Sequence, residues 1–235
     1  MVVPDSISLI IRPKYPRPPR LSDPWGDFTP EELEAIIRKR DADLTDMDLR
    51  NIFQSILPAG EYHECVYFLP LALERIVKPA GDSDLACDVL SWIGDSAEEL
   101  KADGLWDELL TFIEDFFAEL TSSFVLRAEG YPENCAMIDN MIEELNCDRN
   151  GFGNLGDRLM RKHLGAADTY PRAAWLVYLA ECQHYYGIWQ SEYLRSIAED
   201  RSLLKKAYDT IVSNVVEDDR LLDYWSSKFD RIGLW

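Results

Sequence analysis

The sequence predicts an all-α fold, a single globular multi-helix domain of about ten helices preceded by an extended proline-rich arm. Three observations carry that expectation. Apolar residues recur at three- and four-residue spacing from Thr29 onward, and capping residues stand before most of these runs. Apart from residues 7–11, no stretch of Val, Ile and Thr alternates between turn signals as a strand would. The division that follows is an extended basic arm over residues 1–28 and an acidic helical body over residues 29–235.

The arm is read from its prolines. Pro13, Pro16, Pro18, Pro19, Pro24 and Pro30 fall within residues 11–30, half of the 12 in the chain. Each removes an N–H donor and fixes φ, which favours extended, polyproline-like backbone over helix. Pro16 and Pro19 have the PxxP spacing of SH3-type ligands, but Leu21 stands where the flanking basic residue belongs. The expected role is therefore an arm docked over the body, with Trp25 as its anchor.

From Thr29 the signals are helical. Thr29 suits an N-cap, Pro30 the first helical position, and Glu31 and Glu32 the positive end of the dipole, for a helix reaching about Arg40. Thr45, Asp46 and Asp48 start a second, with Leu49, Ile52, Phe53 and Ile56 inward and Pro58 as the stop. In the next run, Tyr62, Val66, Leu69, Leu73 and Ile76 keep one phase across Pro70, which predicts a single helix kinked there. Asp82 or Ser83 caps a run through Val89, Leu90 and Ile93, and Asp95 with Glu98 has capping-box spacing. Residues 105–120 form the clearest amphipathic helix, with Leu105, Leu109, Phe112, Ile113, Phe116 and Leu120 on one face. Pro132 is expected to open a helix carrying Ile138, Met141, Ile142 and Leu145, and a short run follows over residues 158–164. The last third predicts helices over residues 171–189, 191–199, 203–216 and 219–229.

Charge bounds the function. Against 24 Lys and Arg stand 43 Asp and Glu, a formal −19, which disfavours DNA and RNA as partners. Residues 1–20 carry four cations against Asp5, a formal +3, which leaves −22 on the rest. Cys65, Cys87, Cys135, Cys147 and Cys182 are odd in number and widely spaced, without CxxC, and read as reduced thiols of a cytoplasmic protein. No signal-peptide pattern is expected at the N-terminus, and no apolar run approaches the ~20 residues of a membrane span.

The candidate chemistry is sparse. His63 and Glu64 open a partial HExxH pattern that fails because Tyr67 stands where the second histidine belongs. Gly151, Gly153 and Gly156 lack the following Lys-Ser or Lys-Thr of a P-loop, and Asp148, Asn150 and Gly153 match only the first half of a calcium loop. The expected role of these glycines is to supply positive φ in a turn. Glu181 and His184 form a Glu-x-x-His pair on one helix, half of what a carboxylate-bridged metal centre needs. Tyr185, Tyr186, Trp189 and Tyr193 form a dense aromatic group able to line a recognition surface.

Two functions follow. The first is a non-enzymatic protein-binding module, needing no cofactor, whose acidic surface recognises a basic partner protein. In bulk character, through charge and not through any motif, the chain resembles the small acidic immunity proteins that neutralise bacterial toxins. The second is an α-helical enzyme, metal-dependent, using Glu181 and His184.

Overall fold

The computed structural model describes residues 5–54, 58–78, 81–128, 130–147, 151–187, 191–215 and 217–233, with Tyr185 and Tyr186 described in backbone only. Among these residues the chain is all-α: no strand forms, and the one β-type pairing is an isolated bridge between Leu126 and Pro132. No helix among them is long and apolar enough to cross a membrane. The chain's contacts group into two compact units, Met1–Phe116 with Asp148–Phe152 and Phe117–Cys147 with Gly153–Trp235.

The first unit begins with a correction. Residues expected to be extended form helix α1 (Asp5–Lys14), with Pro13 inside it. Ile7 and Ile11, one turn apart, are both fully buried. Burying two such side chains contributes roughly 3–6 kcal/mol, enough to offset the ~3 kcal/mol that an interior proline costs. Pro13 also lies in the last turn, and the Tyr15 N–H resumes the ladder beyond it by donating to the Ile11 carbonyl at 2.8 Å. After α1 the arm runs without regular structure and is tied down repeatedly. Asp103 accepts hydrogen bonds from Lys14 and Tyr15, the latter at 2.6 Å, and from Tyr62 at 2.8 Å. Arg17 reaches Asp41 and the Ile37 and Lys39 carbonyls, while the Ser22 N–H donates to Glu64 at 2.9 Å. Trp25 is not the anchor that the sequence suggests. It stands 62% exposed, and Ile7, Ile11 and Leu21 take the buried places.

The body of this unit follows its caps. Helix α2 (Pro30–Arg38) opens on a capping box between Thr29 and Glu32, and α3 (Asp46–Phe53) on one between Thr45 and Asp48. Ile56 lies outside the described residues. The expected kinked helix resolves into α4 (Tyr62–Cys65), a 3-10 turn over Val66–Phe68 and α5 (Leu69–Ile76). The physical reason is the missing Pro70 N–H, which cannot reach the Val66 carbonyl. That carbonyl instead accepts from Leu69, one residue earlier, which tightens the turn. The stripe survives the change: Val66, Leu69, Leu73 and Ile76 are buried, and the His63 side chain is 61% exposed beside Glu61. Helices α6 (Ser83–Asp95), α7 (Ala97–Ala102) and α8 (Trp106–Leu120) complete the unit, and its boundary falls inside α8. Asp82 caps α6, whereas Asp95 ends that helix rather than starting the next. Trp92 stacks on Tyr62 at 5.6 Å and meets Phe53 edge-on at 5.2 Å.

The second unit is assembled around one helix. Helix α9 (Cys135–Leu145) starts later than Pro132 suggests, because Pro132 is paired with Leu126 and Asn134 enters the helix in a left-handed conformation. Helix α10 (Leu155–His163) and α11 (Tyr170–Tyr186) follow, then α12 (Glu192–Ile197), α13 (Arg201–Val215) and α14 (Asp219–Arg231). Every residue from Ala173 to Glu181 is buried, so α11 is enclosed on all sides rather than along one stripe. Phe124 contacts the rings of Trp175 at 5.0 Å and Trp225 at 5.2 Å, and the Trp175 indole N–H donates to the Ser123 carbonyl at 2.7 Å.

Candidate functional site

Asp157, in the first turn of α10, organises the glycine-rich link. Its carboxylate accepts from the Asn146 amide at 3.0 Å, the Ser191 hydroxyl at 2.6 Å and the Tyr193 N–H at 3.0 Å. The Asp157 N–H returns a bond to Asn146 at 3.0 Å. Gly153 does carry a positive φ, +57°, but Gly156 serves a different need: a Cβ there would lie 2.6 Å from the Asn146 side chain. This link is a structural staple joining α9, α10 and α12. Asp148 and Asn150 lie outside the described residues.

The aromatic group expected near Gly187 is only partly in view, since Trp189 and the side chains of Tyr185 and Tyr186 lie outside the described residues. Tyr193 is buried, and the Arg161 guanidinium lies 4.5 Å from the centre of its ring. It belongs to the core of the second unit.

Glu181 and His184 stand in different settings on α11. Glu181 is 3% exposed, and its two oxygens accept from Lys228 at 2.7 Å and Arg231 at 3.0 Å. His184 is exposed. The carboxylate that a metal would need is thus engaged by two cations, and among the described residues no three His, Cys, Asp or Glu side chains are gathered as a metal site requires.

What the helices do gather is a half-buried cluster in which α9 presents Cys135 and Asp139, one turn apart. Helix α11 brings Tyr178 and Cys182 at the same spacing, and α14 brings Tyr224 and Lys228. Tyr178 lies beside both thiols. The Lys228 ammonium, held by Glu181, also sits 5.4 Å from the Tyr178 ring and 5.2 Å from that of Tyr224. Burial pushes the Cys182 thiol up to about 12, with the Glu181 charge adding to it, and burial likewise raises Cys135. Both thiols stay protonated near neutral pH, where a nucleophile needs the thiolate. Asp139 is the unusual member. Burial, reinforced by the Glu143 charge one turn on, pushes its carboxyl up to about 7, and its Oδ1 is buried without a hydrogen-bond partner among the described residues. Sequence reasoning missed this cluster. The four-residue spacings within each helix were visible, but the packing of three helices that joins them is not a local property.

Asp139 makes a measurable prediction. Its value rises from 3.8 to about 7 on folding, so the folded chain holds this proton more tightly. The associated stability is complete below pH ~4 and lost as pH rises through ~7. Asp139→Asn is expected to flatten that decline and to exceed the natural chain at pH 8 by on the order of 2 kcal/mol, about half of what the full shift implies. Urea denaturation at pH 5 and pH 8 checks this. Parallel pH profiles for the two proteins would mean that Asp139 is ionised in the fold.

Compared with models of protein families, with curated proteins and with solved structures, the chain matches none.

Proposed function

We propose that this chain is a non-enzymatic protein-binding module whose acidic surface recognises a basic partner protein. The observation that supports the reading is the use of its cations. Lys14, Arg17, Lys39, Arg50, Lys228 and Arg231 are engaged with Asp103, Asp41, Asp48, Asp84, Asp88 and Glu181 inside the two units. The formal −19 is therefore carried outward, on exposed carboxylates such as Asp27, Glu31, Glu98, Glu99, Asp107 and Asp115. Such a field accelerates encounter with a cationic surface and repels nucleic acid. Five free cysteines favour a reducing compartment, and the cytoplasm is our assignment.

The test is capture from a native lysate at low salt followed by elution with rising salt. Basic proteins released in the salt gradient are the expected result. A captured set without a basic, salt-sensitive member would overturn the reading. The enzyme reading has less support, because the raised thiols and the engaged Glu181 leave this cluster without an activated nucleophile.

A further inference from the structure

One tryptophan stands apart from the others in the described residues, although Tyr131 is as exposed as it is. Among the described tryptophans, Trp92, Trp175 and Trp225 are buried and Trp106 is half-buried against Phe152, whereas Trp25 is 62% exposed. Its exposure is not that of a loose tail. The Asp23 carboxylate accepts the N–H groups of Trp25, Gly26, Asp27 and Phe28 at 3.3, 2.8, 3.3 and 3.0 Å, which fixes the backbone on both sides of the indole. Phe28 turns partly inward, and the Thr29–Glu32 capping box then locks the chain into α2. A large, rigid, displayed ring of this kind loses little entropy when it is covered, which is why tryptophan dominates recognition surfaces.

The charges that flank the ring in sequence point to its partner. Residues 21–37 hold Asp23, Asp27, Glu31, Glu32 and Glu34 and no Lys, Arg or His, with Arg20 before them and Arg38, paired with Glu34, after them. Asp27 and Glu31 are exposed beside the indole in sequence. A second copy of the chain would bring a surface of the same sign, as would nucleic acid or an anionic membrane, and each is repelled. A guanidinium or ammonium group is attracted twice, by the carboxylates and by the face of the indole.

We propose that the loop carrying Trp25 is the docking point for an arginine- or lysine-bearing segment of the partner protein, with the cation stacked on the indole and the flanking carboxylates steering it in. The assignment rests on the basic-partner reading above, and adds to it a location and a contact chemistry.

The experiment titrates hexa-arginine peptide into the full chain and follows affinity by calorimetry and the Trp25 indole N–H by NMR. Wild type, Trp25→Ala, Trp25→Phe and Met47→Ala are compared at low and high salt, Met47 being a 60% exposed apolar control. Trp25→Ala is expected to weaken binding about 5-fold, Trp25→Phe less, and Met47→Ala not at all, with the Trp25 resonance shifting on titration. Equal affinity of wild type and Trp25→Ala would overturn the docking point while leaving the basic-partner reading in place. No salt-sensitive binding by the wild type would overturn both. Concentration-dependent self-association that disappears in Trp25→Ala would assign the ring to a second copy and overturn the proposal.

Discussion

Deleting residues 1–20 is expected to destabilise the first unit by on the order of 5 kcal/mol, chiefly through the loss of Ile7 and Ile11. Both are fully buried, at 0% exposure each. Losing the burial of two such side chains, which leaves the surface they cover open to water, accounts for roughly 3–6 kcal/mol, an upper figure because the unfolded chain is itself partly compact. The ionic ties add less and act differently. Burial pushes the Asp103 carboxyl up, but the hydrogen bonds from Lys14, Tyr15 and Tyr62 outweigh it, so the net direction is down. A lowered carboxyl stabilises the fold above its unfolded value and loses that contribution as the solution is acidified through the folded one. Deletion removes two of the three donors. Loss of melting temperature should therefore be large at neutral pH, and smaller in high salt, where screening has already weakened the Arg17–Asp41 tie in the intact chain. Calorimetry of both proteins at two salt concentrations decides the matter. An unchanged melting temperature would mean that residues 1–20 do not contribute to the fold in solution.

That deletion touches the place where the sequence was hardest to read. Local signals were sufficient at several helix starts and along one face: Thr29, Thr45 and Asp82 cap the helices they precede, and the Val66–Leu69–Leu73 stripe faces the core, whereas Asp95 and Pro132 do not start the helices they suggest. They failed where a distant contact reverses a local preference. Residues 5–14 carry a proline that argues against helix, and only the burial of Ile7 and Ile11 with the ties to Asp103 overrides it. Trp25 illustrates the same limit from the other side. Its size predicts burial, but smaller aliphatic side chains fill the available places, and Asp23 holds the loop so that the ring stays in water. Glu181 has the look of half a metal motif because a sequence window shows His184 three residues on and hides Lys228 and Arg231, which lie 47 and 50 residues away.

Replacing Glu181 by leucine is expected to destabilise the second unit by about 3 kcal/mol, at the lower end for breaking a buried ion pair. The argument turns on what is left behind. The Lys228 side chain is 14% exposed, so without Glu181 its charge remains largely out of water, relieved only in part by the Tyr178 and Tyr224 rings. Arg231, 52% exposed, can return to solvent and adds little. Lys228→Met alone should also destabilise, because it strands the Glu181 carboxylate with only Arg231 beside it. The double variant Glu181→Leu, Lys228→Met removes both charges together and should lose less than the sum of the single changes, the signature of direct coupling. Urea denaturation of the four proteins closes the cycle. Additive single effects, each within about 1 kcal/mol, would show that the pair does not hold the helices together. A rise in melting temperature on adding Zn, Mn or Fe that vanishes in Glu181→Leu would instead return this carboxylate to the role of a metal ligand, since a tight ligand stabilises the fold that binds it.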